Sequence, residues 1–219
     1  MRIADTDGFE AVSMRRIADE LGAATMTLYY YVRTKEDLVA LKDDAIMAEV
    51  LIPERDLLRE WRAALAAIAH SSYRAFRRHP WALDALRGAR WGPNGMRHFE
   101  QSLAAVANAP FDEQGKFDAL GIVDDYVFGH VVRVAESNSQ RDMADGKPAP
   151  ELTRFMAAQL ATGAFPHAAA LLGKDGMATV WSRVGRYLND EQRFHRGLEV
   201  ILDGLEGRSS ARPRPARKR

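Results

Sequence analysis

Residues 25–31 read TMTLYYY, and their hydroxyl groups are the side chains whose type and spacing most clearly suggest chemistry. Tyrosine and threonine hydroxyls donate hydrogen bonds to phosphate oxygens, while threonine methyl groups and aromatic edges can contact thymine methyl groups. Leu28 and Val32 lie four residues apart and share one helical face, so the hydroxyl-bearing residues fall mostly outside that face. A helix that exposes several tyrosines is typical of a surface that binds a polar partner such as DNA.

A neighbouring helix must hold this stretch in place, and residues 14–21 predict one. Ile17 and Leu21 are four residues apart, and we expect them to pack on the apolar face of the tyrosine-bearing helix. Ser13 is suited to cap the start of residues 14–21, and Gly22 is suited to end them in a left-handed conformation. Two short helices joined by such a turn form a helix-turn-helix unit, which places its second helix in the major groove of DNA.

A third helix is predicted to begin after Thr34, because Asp37 follows three residues later as a partial capping box. The segment from Ser13 to Leu38 as a whole resembles the DNA-binding domain of the tetracycline-repressor (TetR) family. That family's pattern is close to S-x-R-x-[IL]-A-x-x-L-G-[VA]-x-x-x-[ST]-L-Y-x-[HYF]-[VF]-x-x-K-x-x-L. The matching residues, which lie in the N-terminal fifth of the chain, are Ser13, Arg15, Ile17, Ala18, Leu21, Gly22, Ala23, Thr27, Leu28, Tyr29, Tyr31, Val32, Lys35 and Leu38.

The resemblance implies roles in DNA binding for particular side chains. Those expected to read base edges are Arg15, Thr25, Met26 and Tyr29. Those expected to contact phosphates are Ser13, Thr27, Tyr30, Tyr31 and Lys35. Arg16 is included in the same DNA-binding surface because it lies on or near it, as does Arg33.

The segment before Gly8 departs from the family pattern. Only Met1 to Asp7 precede it, whereas the family carries a full first helix there. A helix this short is marginal alone, because nucleation is costly and few hydrogen bonds follow. We therefore expect either a start further upstream, which we favour, or the loss of part of the head's support.

Composition excludes several other classes of protein. The chain has no cysteine, which excludes disulfides, a thiolate nucleophile and cysteine-ligated zinc fingers. No apolar run is long enough to span a bilayer, and no signal peptide is recognisable, so we expect a cytoplasmic protein without a membrane partner. An apolar content of 47% is ordinary for a globular protein with a real core.

Net charge alone does not indicate nucleic-acid binding. The whole chain carries +1, and residues 1–50 hold six basic side chains against ten acidic ones. Residues 208–219 hold six basic side chains and no acidic one, and their proline-rich composition predicts disorder. This tail is either an auxiliary phosphate-binding arm or, as we prefer, a solvated terminus.

Helical periodicity and the absence of strand alternation predict an all-α fold. The resemblance implies that residues 1–50 form a three-helix DNA-binding head and residues 51–207 a helical ligand-binding and dimerisation body, and residues 208–219 are expected to be a disordered basic tail. Helices are predicted over residues 38–51, 57–76, 96–107, 111–138, 151–172 (interrupted near Gly163 and Pro166) and 190–205.

The last predicted helix carries an apolar stripe with two glycines beside it. By resemblance, this helix and residues 111–138 pair with their copies in a second subunit, which implies a homodimer. The expected interface residues are Phe194, Gly197, Leu198, Ile201, Leu202 and Leu205. The alternative is that the stripe packs only inside its own subunit.

The body is rich in aromatic residues and methionine, most of which serve as core. The resemblance implies a cavity between helices for a small, largely apolar effector. The expected lining residues are Trp81, Trp91, Met96, Phe99, Phe128, Phe155 and Met156. Asp124 and His130 lie on an otherwise apolar helix, where they could bind a ligand, pair across the dimer or face water.

An enzyme of helical-bundle type is disfavoured, because the chain lacks two Glu-x-x-His pairs, an H-E-x-x-H motif and a phosphate-binding glycine loop. We expect no catalytic residue, metal or cofactor. The sequence predicts a repressor that a small molecule releases from a palindromic double-stranded DNA operator. An architectural DNA-binding protein without an inducer is the alternative.

Overall fold

The computed structural model describes residues 1–85, 92–142, 150–172, 176–188 and 190–210, and all regular structure in these ranges is helical. The all-α prediction is therefore confirmed. Short 3-10 turns lie at Phe9–Ala11 and Glu54–Asp56. The helices are α1 (Arg2–Asp7), α2 (Met14–Leu21), α3 (Thr25–Tyr31), α4 (Lys35–Val50), α5 (Trp61–Arg78), α6 (Ala82–Ala85), α7 (Pro93–Val106), α8 (Glu113–Asp142), α9 (Pro150–Ala161), α10 (Pro166–Leu172), α11 (Gly176–Leu188) and α12 (Glu191–Ser210).

The chain divides into two compact units. One comprises Met1–Val131 together with Leu198–Arg219, and the other comprises Val132–Gly197. In the first unit α2 packs on α3, and α4, α5 and α7 pack against one another. In the second unit α10 packs against both α9 and α11. Within the described ranges, no helix is both long and apolar enough to cross a membrane.

Helix α5 forms the centre of the first unit's core. Glu60 caps its start by accepting hydrogen bonds from the backbone N–H groups of Arg62 and Ala63, at 3.0 and 2.8 Å. Its buried face includes Leu65 and Phe76, each 1% exposed. Close packing of such side chains against α4 and α7 fixes these three helices relative to one another.

Two helices differ from the sequence prediction. Helix α12 continues to Ser210, so the first three residues of the predicted disordered tail are helical, and residues 211–219 lie outside the described ranges. Helix α11 was not predicted at all. The interruption near Gly163 is confirmed, and this glycine has a φ of +74° that favours a residue without a side chain.

Four of the six residues of the predicted dimer stripe are already buried within their own chain. Phe194, Leu198 and Leu202 are 0% exposed and Leu205 is 6% exposed within the single chain. Side chains already buried by their own subunit have no surface left to offer a second one. Gly197 and Ile201, which we placed in the same stripe, are half-buried. The stripe therefore forms core, which was the alternative interpretation.

Candidate DNA-binding surface and ligand cavity

Helices α2 and α3 form a helix-turn-helix unit with the predicted caps. The Ser13 Oγ accepts a hydrogen bond from the Arg16 N–H at 3.3 Å, which fixes the start of α2. Gly22 ends α2 with φ +62° and ψ 30°, a left-handed conformation that costs a glycine little. After this turn α3 begins at Thr25 and packs back on α2.

The outer face of α3 exposes large side chains. Met26 and Tyr30 are each 77% exposed, Tyr31 is 74% exposed and Tyr29 is 45% exposed. Thr27 is also exposed, and Thr25 is half-buried. These apolar and hydroxyl-bearing groups stand where sequence reasoning placed its DNA contacts, and their roles as base and phosphate contacts remain predictions.

One expected core residue of the helix-turn-helix is misplaced. Leu21 is 65% exposed, whereas Ile17, Leu28 and Val32 are half-buried as expected. Leu21 directly precedes the left-handed Gly22, and the chain turns away before a partner helix covers it. Leu21 thus extends the exposed apolar surface of the head.

The polar side chains expected to contact DNA differ in how accessible they are to a phosphate. Arg15 and Ser13 are exposed. Arg16 is exposed as well, but its guanidinium pairs with the Asp7 carboxylate. Lys35 is the first residue of α4, and its side chain lies outside the part of the structure that is described.

Helix α4 begins with a complete capping box. The Thr34 Oγ1 accepts a hydrogen bond from the Asp37 N–H at 3.0 Å, and the Asp37 carboxylate accepts one from the Thr34 N–H at 3.1 Å. The same Asp37 oxygen accepts a hydrogen bond from the Arg33 N–H at 3.1 Å. These contacts join the residues between α3 and α4 to the first turn of α4.

The second half of α4 lines a cavity of about 450 Å³ in the first unit. This volume is within the range of sites for small molecules. Helix α4 contributes Met47 and Val50, and four phenylalanines from α5, α7 and α8 stand among the other lining residues. Its aromatic lining residues are Phe76, Phe99, Phe117 and Phe128.

Two of the seven expected cavity residues line it, namely Phe99 and Phe128. Met96 does not and is 53% exposed. Trp81 instead donates a hydrogen bond from Nε1 to Asp5 at 2.7 Å, in a smaller cavity beside α1. Phe155 and Met156 lie on α9 in the second unit, and Trp91 lies outside the described residues.

Burial shifts the pKa of three of the four titratable side chains that line the cavity. Asp43 is 4% exposed, and burial raises its pKa although Lys42 opposes the shift. Burial also raises the pKa of Asp124 to about 6, with the Asp125 charge adding to it. His98 is kept neutral at pH 7, because burial lowers its pKa. Sequence reasoning singled out Asp124 and missed the other two, which only the folding of α4 against α7 brings to the cavity.

The Asp124 side chain is exposed to the cavity but is also largely removed from bulk water. Its side chain is exposed by surface area, because it faces the empty space of the cavity. The surrounding protein nevertheless withdraws it from bulk water, which is what raises its pKa. His130, the other polar residue expected on α8, is 5% exposed and contacts the rings of Tyr73 and Tyr126.

Helix α4 is tied to α7 beside the cavity through Asp44. Its carboxylate accepts hydrogen bonds from the backbone N–H and the side-chain Nδ2 of Asn94, both at 2.8 Å. Gln101 adds a second tie, because its Nε2 donates to the Ile52 carbonyl at 2.7 Å and its Oε1 accepts from the Ile52 N–H at 3.2 Å. The cavity wall on α7 is therefore attached both to α4 and to the residues that follow α4.

A further contact joins α1 to α4 through His79. This ring is 3% exposed and lies between two carboxylates, with Nε2 at 3.1 Å from Glu49 and Nδ1 hydrogen-bonded to Asp5. Lys42 lies over the Phe9 ring at 3.7 Å from its centroid. Helix α1 and the following turn at Phe9 are thus held to α4 by polar as well as apolar contacts.

Comparison with known proteins places both parts of the chain. A family model described as "Bacterial regulatory proteins, tetR family" matches residues 1–41, and one described as "Tetracyclin repressor-like, C-terminal domain" matches residues 55–209. The HTH-type transcriptional repressor DrrR1 of Streptomyces coeruleorubidus is 33% identical over 94% of this chain and 74% of its own length.

Two further relatives agree with these matches. An HTH-type transcriptional regulator of Saccharopolyspora erythraea is 36% identical over 60% of this chain and 56% of its own length. The solved structure of the Streptomyces coelicolor TetR family protein ActR in complex with (S)-DNPA is 25% identical. It has a TM-score of 0.65 and covers 94% of this chain and 92% of that one.

Proposed function

The chain belongs to the TetR family of transcriptional regulators, and on this premise we propose that it is a dimeric repressor released from a palindromic operator by a small molecule. Its function is to bind DNA and a ligand rather than to catalyse a reaction. Since its partner is chromosomal DNA, it acts in the cytoplasm. The observation that carries the proposal is that α4 joins an exposed helix-turn-helix at one end to a ligand-sized cavity at the other.

The outer face of α3 is the DNA-reading surface. Its exposed tyrosines supply hydroxyls for phosphates, and Met26 with Thr25 and Arg15 supplies contacts to base edges. Side chains this large and this exposed are uncommon on a soluble domain unless they meet a partner. One such helix binds weakly, and two related by a twofold axis read a palindrome.

The second subunit is proposed to pack on small residues that α8 and α12 leave open. On α12 Val200 is 70% exposed, and a Cβ placed on Gly204 or Gly207 would meet nothing within 4 Å. On α8 the same is true of Gly129. Such faces let helices approach closely, so they replace the buried stripe as the proposed interface.

Ligand binding is proposed to act through α4. A ligand that contacts Met47 on α4 and Phe99 on α7 changes the distance between these helices, and the Thr34–Asp37 box passes the displacement to α3. The result is a shift between two populations, limited by the difference in the ligand's affinity for them.

Operator selection followed by footprinting tests this proposal. Selection from random duplexes is expected to yield a palindrome, protected in two successive major grooves of one face. Tyr30→Ala should weaken binding, because Tyr30 is 77% exposed on α3. Tyr187→Ala is the matched control, since Tyr187 is an exposed tyrosine on α11 outside the helix-turn-helix. Failure to select any duplex, or equal effects of the two substitutions, would refute it.

A further inference from the structure

The large cavity contains hydrogen-bond acceptors that the protein does not satisfy. Asp43 is 4% exposed and lines the cavity, and among the described residues no donor reaches its Oδ2. The Nδ1 of His98, on the same wall, also has no partner within those residues. A buried carboxylate oxygen without a donor is costly, so a positive charge brought into the cavity would stabilise this wall.

The charged side chains among the described residues of the cavity wall are all acidic. Its described lining includes the carboxyl groups of Asp43, Asp44 and Asp124, and it includes no lysine or arginine. The nearby Lys42 places its ammonium over the Phe9 ring, and its Nζ lies 3.6 Å from Asp43 Oδ1, so Asp43 is paired with a residue outside the cavity lining. Asp44 is already engaged by Asn94, which leaves Asp124 as the accessible carboxylate.

A metal ion held by the protein alone does not account for these carboxyls. Among the described residues, no group of three or more histidine, aspartate or glutamate side chains is arranged to hold one. A positive charge carried by the ligand would balance them.

The remaining wall determines the body of that ligand. The rings of Phe99 and Phe117 are 38% and 49% exposed, and they line the cavity with Phe76 and Phe128. Aromatic faces favour flat apolar groups, and their negative potential favours a cation beside them.

Resting on the proposed function, we propose that the effector is an amphipathic amine. Its ammonium group pairs with Asp124, the buried Asp43 adds negative charge to the same cavity, and its flat apolar body lies on the exposed rings of Phe99 and Phe117. An anionic effector would meet two carboxyls and no cation, and a purely apolar one would leave both carboxyls without a balancing charge.

The titration of the cavity agrees with this geometry. With a pKa of about 6, Asp124 is mostly ionised near neutral pH yet is held in surroundings that disfavour its charge. An ammonium group removes that unfavourable state when it binds. The same linkage implies that the bound amine lowers the pKa of Asp124.

Three probes with the same three-ring body test the proposal on the full-length protein. They are anthracenylmethylamine, which is cationic, anthracenemethanol, which is neutral, and anthracene carboxylate, which is anionic. Affinity is measured by calorimetric titration at about pH 7.5. The amine should bind about tenfold more tightly than the alcohol, because charged hydrogen bonds are the stronger ones, and the carboxylate should bind weakest.

A matched pair of variants assigns the preference to one side chain. Asp124→Asn should reduce amine binding to about the level of the alcohol, while Asp125→Asn, which changes the neighbouring residue outside the cavity lining, should retain the preference. Asp43→Asn should weaken the amine less than Asp124→Asn does, because Asp43 adds negative charge to the cavity without pairing with the ammonium. Thermal unfolding of each variant confirms that it folds.

The proposal is overturned if the alcohol or the carboxylate binds as tightly as the amine, if none of the three binds, or if Asp124→Asn and Asp125→Asn have equal effects. Its failure is distinguishable from that of the proposed function. Asp124-dependent amine binding without any operator would refute the repressor assignment alone, whereas an operator released only by a non-cationic molecule would refute the amine assignment alone.

Discussion

Replacing Asp44 with alanine should destabilise the protein by loosening α4 from α7. The N-terminus of α7 has no side-chain cap of its own, and the Asp44 carboxylate takes that role from the neighbouring helix. It accepts from the Asn94 N–H and Nδ2 at 2.8 Å each, and from the Gly95 N–H at 3.4 Å. A carboxylate at this position also interacts favourably with the helix dipole.

The magnitude follows from these contacts. Loss of a helix cap costs typically about 1 kcal/mol, and loss of the charged hydrogen bond to the Asn94 amide adds roughly 1–2 kcal/mol. Asp44→Ala should therefore lower the free energy of unfolding by about 2 kcal/mol, or roughly 4–8 °C in melting temperature for a chain of this size. Asn94→Ala removes only the amide contact and should cost about half as much.

Urea unfolding of the wild type, the two single variants and the double variant provides the assay. Because the two side chains contact each other, the double variant should cost less than the sum of the single ones, by about 1 kcal/mol. Additive effects would refute the side-chain contact between Asp44 and Asn94, whereas an Asp44→Ala variant as stable as the wild type would refute the assignment of Asp44 as the cap of α7.

Three further predictions concern the same unit. Gly92→Ala should destabilise it, because the added Cβ would lie 2.2 Å from Asp44 Oδ1, and adding Asp44→Ala should relieve that effect in the same urea assay. Asp124→Asn should raise the melting temperature near pH 7.5 and leave it unchanged near pH 4. The pKa of Asp124 in the folded protein is about 6, above its ordinary value of 3.8. The free energy of unfolding of the wild type therefore falls as pH rises between these two pKa values, and the Asp124→Asn variant does not lose this stability. Arg62→Met should cost about 1 kcal/mol in low salt and less in high salt, because Arg62 contacts three carboxylates of α12.

The helix-turn-helix could be predicted from the sequence because its determinants are local. Ser13, Gly22 and the Thr34–Asp37 pair each act on backbone groups a few residues away, so their positions in the sequence fix the helix ends. The same local reasoning predicted which side chains α3 exposes. It failed at Leu21, whose exposure depends on where the chain turns after α2.

The cavity and the subunit surface could not be predicted in the same way. The apolar stripe of α12, which includes Leu198, indicated from the sequence that one face of this helix is buried. Periodicity does not say whether the side chains that cover this face belong to the same subunit or to another. Asp43 and His98 are far apart in sequence, and only the packing of α4 on α7 brings them to one wall. Long-range packing of this kind leaves no local pattern.

Occupancy of the cavity is proposed to change the separation of the two DNA-binding heads of the dimer through α4. Because the chain has no cysteine, Glu36→Cys introduces a single labelling site per subunit on the exposed first turn of α4. Pulsed electron paramagnetic resonance then measures the distance between the labels of the two subunits. We predict one narrow distribution on the selected operator and a shift to longer distances when anthracenylmethylamine saturates the cavity. The absence of any intersubunit distance, or identical distributions with and without the bound amine, would contradict the account.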